Sequence, residues 1–293
     1  RQDCGDLDGA HAAWSQARAL FLAAGYPAQA GAAARDHGGS LLTAGKAADA
    51  LPLLQQSLTL AEQAGDEPGA GAAANAVGLA QLAEGDPTAA VATLRRALGA
   101  FPRSVRPVDH AMAKANLALA HEQMGELARA RLTAGQALAV PGAAEPVREQ
   151  AQQLLSRLPG RAPEDLLAVL DAEQRDHWVP VLREEMLRVA DLPEVPRCAM
   201  VRSFLDGVLA RPGVSYDLVE SLLHVMVELP PLTYGRLVAA VVDACADRPE
   251  QHAERLHAVI GSAMARFALP QWQRLVAGLN SAAQASGRPA TWT

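Results

Sequence analysis

The sequence predicts an all-α fold: a solenoid of helix pairs over residues 1–160, followed by a second all-helical module over 161–293. Three observations carry this. Several residue columns recur with a period of 40 through the first half. Alanine is concentrated there, with 43 of the 63 alanines before residue 161, while valine rises from 6 to 16 across that point. No segment alternates apolar and polar residues with period two, whereas apolar residues at i, i+3 and i+4 run throughout.

The repeat comes first because it decides the architecture. Gly5, Gly45, Gly85 and Gly125 are evenly spaced along the chain. Five positions after each comes Ala10, Ala50, Ala90 or Ala130, and four further on Trp14, Leu54, Leu94 or Ala134. Then follow Ala17, Ser57, Ala97 and Ala137, and seven positions before the last three glycines stand Gly38, Gly78 and Ala118. The turn glycine ends one helix in a left-handed cap and admits the next. The small residues mark where two antiparallel helices cross closely, and the large apolar residue fills the gap on the same face. The spacing predicts helix pairs over 31–44 and 47–62, 71–84 and 87–100, and 111–124 and 127–139. Segment 6–24 reads as a second helix without its partner. The array thus starts in mid-unit, and the chain begins at Arg1, so an upstream part is expected.

This pattern resembles the tetratricopeptide repeat (TPR) family. The unit that carries it best is Ala115-Asn116-Leu117-Ala118-Leu119-Ala120-His121 followed by Gly125-Glu126-Leu127-Ala128-Arg129-Ala130. The family's tryptophan position holds Ala34, Ala74 and Lys114, and its tyrosine position holds Leu41, Gln81 and His121. The period of 40 is similar to the longer units of kinesin light chains and of bacterial sensor and regulator proteins. The resemblance covers about residues 5–158. It implies a truncated first unit, three full units and a capping helix.

The remaining elements follow in order. Gly65–Gly69, Pro102–Pro107 and Pro141–Pro146 punctuate the units. Pro146 opens the capping helix, which carries Val147, Ala151, Leu154, Leu155 and Leu158 on one face and ends at Pro159-Gly160. From Arg161 the phase of the repeat is lost, but helical periodicity persists. Helices are predicted near 163–175, 178–190, 196–210, 215–229, 233–246, 250–267 and 270–285, as a compact bundle or as stacked helix pairs. The tail Ser286–Thr293 is expected to be loose.

Bulk composition limits the function classes. Net charge is −6 and neither half is basic, which argues against nucleic acid as a partner of this chain. No apolar run is long enough for a membrane span. Cys4, Cys198 and Cys245 form no metal-ligand spacing and fit free, buried thiols in a reducing cytoplasm. Aromatic residues are 4 % of the chain, thin for a large enclosed aromatic pocket. Motifs for phosphate-binding loops, nucleophile elbows and zinc proteases are missing. Glu173 and His177 share a helix face at a spacing that suits two metal ligands, but two further ligands are lacking. No catalytic residue, no metal and no cofactor are therefore expected.

The expected function is binding of a protein or peptide partner without catalysis. The resemblance implies that the first helix of each pair lines a concave groove. The groove candidates are Arg35, Asn75, Asn116 and Glu122: amides hold an extended backbone by paired bonds, and arginine recognises carboxylate. The bland alternative is that these are solvated first-helix residues. By resemblance the array serves as the sensor or interaction arm of a larger bacterial regulatory protein, with homo-oligomerisation as a further option. The alternative class is an all-helical enzyme or effector in 161–293, regulated by the repeats.

Overall fold

The structure is a computed structural model and describes residues 7–160, 162–246, 248–289 and 292. It is 81 % helical, with fifteen α-helices and no strand among the described residues. The chain divides into two compact units, Arg1–Leu158 and Pro159–Thr293.

The first unit contains α1 (Leu7–Ala23), α2 (Pro27–Thr43), α3 (Ala47–Gln63), α4 (Glu67–Ala83), α5 (Pro87–Ala100), α6 (Pro107–Gln123), α7 (Leu127–Leu138) and α8 (Glu145–Arg157). Helices α2, α4 and α6 start about one turn earlier than the periodicity predicts. The cause is local: Pro27, Pro68 and Pro107 occupy the first two helical positions, where a missing N–H costs nothing. Residues that read as connector are the first turns of these helices. Asp66 caps α4 by accepting from the Gly69 N–H at 2.9 Å.

The turns follow one design. Gly45 adopts φ +74°, its N–H donates to Leu42 O, and the Lys46 N–H donates to Leu41 O. This is the Schellman arrangement of a helix C-terminus. Gly25 and Gly65, which join one pair to the next, repeat it at φ +79° and +65°. The structural period is therefore half that of the sequence, one helix and its turn, and turns within and between pairs are alike. Gly5 lies outside the described residues. The exceptions are the connection from α5 to α6, where the buried Phe101 replaces the glycine turn and packs against Gly71, and that from α7 to α8, where Gly142 lies beyond the helix end and does not form the paired turn bonds.

Each helix packs against its predecessor and its successor. Helices α2, α4, α6 and α8 also touch one another in series, whereas among the described residues the backbones of α1, α3, α5 and α7 do not approach one another comparably and side chains such as Arg18 and Gln56 bridge them. The row that approaches itself most closely lies inside the bend, so α2, α4, α6 and α8 form the inner layer. The core is a string of clusters, most of them drawn from three successive helices. Leu41, Ala50, Leu54, Val77 and Ala80 make one; Leu82, Ala90, Val91, Leu94, Leu117 and Ala120 make the next. No pair buries its apolar face alone, the condition that makes a repeat array stable only as a stack.

The second unit contains α9 (Ala162–Ala172), a 3-10 turn Arg175–His177, α10 (Trp178–Asp191), α11 (Glu194–Leu209), α12 (Ser215–Glu228), α13 (Pro231–Ala246), α14 (Glu250–Met264) and α15 (Leu269–Ala285). Its main contacts join alternate helices: α9 to α11, α11 to α13 and α13 to α15 in one row, α10 to α12 and α12 to α14 in the other. Of the two predicted arrangements, it is the stack of helix pairs. A looser repeat underlies it, one that a fixed period does not pick out. Leu192-Pro193, Leu229-Pro230 and Leu269-Pro270 open the second helix of successive pairs at unequal intervals. Arg211-Pro212, Arg248-Pro249 and Arg288-Pro289 follow the ends of those helices with the same uneven spacing.

The arginines of these steps are staples. Arg211 donates to Asp171 at 2.6 Å, Arg248 to Asp206, and Arg288 to Asp243 at 2.6 Å, each reaching the preceding second helix. Arg248 also donates to Ala244 O at 2.5 Å and Arg202 O at 3.1 Å. At Trp292 the tail is tied down, contrary to expectation. Trp292 is buried, its N–H donates to Asn280 Oδ1 at 3.0 Å, and its carbonyl accepts from Asn280 Nδ2 at 2.9 Å.

Candidate functional site

The inner layer of the first unit is built from alanine and glycine where α2, α4 and α6 meet their neighbours. Gly38 and Gly78 face Leu54 and Leu94 so closely that a Cβ on either glycine would lie within 2.7 Å of the leucine. In the third pair Ala118 and Ala134 replace this glycine–leucine match, and both are fully buried.

Polar side chains interrupt this surface in one line. Gln150 Nε2 of α8 donates to Asn116 Oδ1 of α6 at 3.2 Å, and Asn116 Nδ2 donates to Asn75 Oδ1 of α4 at 3.0 Å. Three successive inner helices are thereby joined by a ladder of side-chain amides. When the units are aligned by sequence, Asn75 and Asn116 fall in different columns. They meet because the helices are rotated relative to each other by their packing. Both are buried, at 4 % and 3 % exposure. Neither Asn75 Nδ2 nor the second Asn116 N–H has a partner among the described residues, so unused donors stay on this line.

The other two candidates sit at the margins. Arg35 of α2 is half-exposed and 3.6 Å from Asp36. Glu122, at the end of α6, is bound by the Arg157 guanidinium of α8 through two hydrogen bonds, one of 2.7 Å. That pairing holds the Glu122 carboxyl below the usual carboxylate range. The structure thus joins Asn75 with Asn116 directly and leaves Arg35 and Glu122 apart from them.

Positions that depart from the family pattern are absorbed into the fold. Lys114, where the family has tryptophan, is buried and donates to Gln136 Oε1 of α7 at 3.1 Å. His121, where it has tyrosine, is buried with Nδ1 2.7 Å from Glu126 Oε2. Burial lowers the His121 pKa to about 4, against the opposing pull of the Glu126 carboxylate.

In the second unit His177 Nδ1 lies 3.2 Å from Glu173 Oε2, but the two do not share a helix face as predicted: α9 ends at Ala172, and His177 belongs to the following 3-10 turn. No cluster of three or more potential metal ligands occurs among the described residues. Cys198 and Cys245 are half-buried rather than buried. Burial raises the pKa of both thiols, that of Cys245 to about 12. His224 packs its ring on Phe267, with centroids 4.3 Å apart. No helix is long and apolar enough to cross a membrane among the described residues.

Two family models, each described as tetratricopeptide repeat, match residues 29–103 and 78–146. A comparison with curated proteins gives no match. Such repeats generally mediate protein–protein interactions and are typically non-enzymatic scaffolds. The matched span coincides with the stacked pairs α2 to α7, their Schellman turns and the inner row, and on these grounds residues 29–146 belong to the tetratricopeptide repeat family.

Proposed function

We infer that the first unit binds an extended segment of a protein partner along its inner row, without catalysis. The observation that carries this is the amide ladder Asn75–Asn116–Gln150, which crosses three inner helices and keeps spare donors. Amide donors spaced along a groove suit the carbonyls of an extended chain. Arg35 and Asp36 near one margin and the Glu122–Arg157 pair near another supply charges that favour partners with complementary ends.

In a wider setting, such an arm serves a larger bacterial regulatory protein in the cytoplasm. The unit Pro159–Thr293 then acts as a separate domain that docks an effector or a second copy. The support for this setting is the resemblance of the long repeat unit to sensor and regulator proteins and the sparse free thiols.

The test is a peptide-array hit measured by fluorescence polarisation. Asn75→Ala combined with Asn116→Ala is expected to weaken it about tenfold, roughly 1.4 kcal/mol. Each truncation also leaves a neighbouring amide short of a bond, so the assay runs well below the melting temperature of the variant. Unchanged affinity in the folded double variant refutes the ladder as a contact.

A further inference from the structure

The second unit holds a cleft of about 590 Å³ between the end of α13, α14, the end of α15 and the tail. Sites for small molecules commonly span about 300–1,000 Å³. The cleft is a departure from the repeat that builds the unit. In the register of the Leu-Pro and Arg-Pro steps, Cys245 and Ala246 take the places held one pair earlier by Val208 and Leu209, both of which are buried. Ala283 takes the place of the staple residues Asp206 and Asp243. Bulk is thus lost on α13 and α15, which pack against each other, and Cys245, Ala246 and Ala283 all line the resulting space.

Trp292 forms one wall. Its indole stacks on His257 with ring centroids 3.9 Å apart and planes 19° from parallel. Asn280 holds its backbone from both sides. The charged groups on the lining are Glu254 and Arg288, one of each sign, and Arg288 already binds Asp243. Glu254 is exposed to solvent and Arg288 is neutralised by Asp243, so neither group calls for a charged ligand. Burial also lowers the His257 pKa, which disfavours the charged imidazole. Ala258, which lies exposed at the rim on α14, adds only a methyl group.

We propose that this cleft binds an uncharged, planar aromatic small molecule, which packs beside the Trp292 indole. Flat rings bury the most area against an aromatic wall and alanine methyls, and a neutral ligand leaves the Arg288–Asp243 staple intact. The site is independent of partner binding by the first unit.

The probe is N-phenyl-1-naphthylamine, a neutral aromatic dye that brightens in apolar sites, titrated into the full chain. Saturable binding is expected, with the Trp292 indole N–H resonance as the tryptophan signal that shifts in ¹H–¹⁵N spectra. Ala246→Leu restores the side chain of the preceding pair and is expected to weaken dye binding about tenfold, with the melting temperature kept. Ala258→Trp, at an exposed position, is expected to do the same. Non-saturable binding, an unshifted Trp292 resonance, or parental affinity in both variants overturns the proposal.

Discussion

The contact between Gly78 and Leu94 tests how the array is packed. Leu94 of α5 is fully buried in a cluster with Leu82, Ala90, Leu117 and Ala120. A Cβ on Gly78 would lie 2.6 Å from Leu94 Cγ and 2.8 Å from its Cδ2. Leu94→Ala removes a side chain from three helices at once and is expected to cost about 3 kcal/mol, within the roughly 2–5 kcal/mol range for such cavities. Gly78→Ala alone gains about 1 kcal/mol of helix propensity and loses about 1–3 kcal/mol to overpacking, so it ranges from neutral to mildly destabilising. In the double variant the new methyl enters the void left by Leu94. The clash vanishes while the propensity gain remains, so the pair is expected to couple favourably by about 1–3 kcal/mol. Hydrogen exchange of the buried amides of α4 and α5 reads this free energy locally, without interference from the second unit. Additivity within about 0.5 kcal/mol refutes the packing described here.

Two further outcomes follow from charge and burial. The pKa of His121 is lowered in the folded state, so the unfolded chain takes up a proton first as pH falls. The stabilising effect of the neutral ring is full above about pH 6.5 and fades towards about pH 4, a loss on the order of 3 kcal/mol. His121→Gln is expected to flatten the dependence of the urea midpoint on pH between 7 and 5, and an unchanged slope contradicts the assignment. In the second unit, Arg248 is almost fully buried and bonded to two carbonyls as well as Asp206, whereas Arg211 is partly exposed. Arg248→Ala is expected to cost about 2–4 kcal/mol and Arg211→Ala about 1 kcal/mol or less. Equal shifts in melting temperature for the two variants refute the distinction.

The helices of the first unit were legible because turn glycines, crossing alanines and paired leucines each leave a mark at fixed spacing. Their starts were read about one turn late because Pro27, Pro68 and Pro107 serve equally well as loop punctuation and as first-turn residues. The second unit was legible as helices but not as a repeat. Its Leu-Pro and Arg-Pro steps are unevenly spaced, and a fixed period does not register them. Of the groove candidates, chain position indicated the correct helices for Asn75 and Asn116 but not that each is the other's partner.

The class of fold, the extent of the array and the turn chemistry depend on residues within one helix and its cap, and so they can be read along the chain. Which side chains meet cannot. The Asn116–Asn75 bond spans 41 residues, the Arg–Asp staples 40 to 45, and the tail reaches the cleft through Trp292 stacked on His257. Such contacts are set by the rotation of one packed helix against another. That rotation is the joint result of all the small and large residues between them, and no local pattern records it.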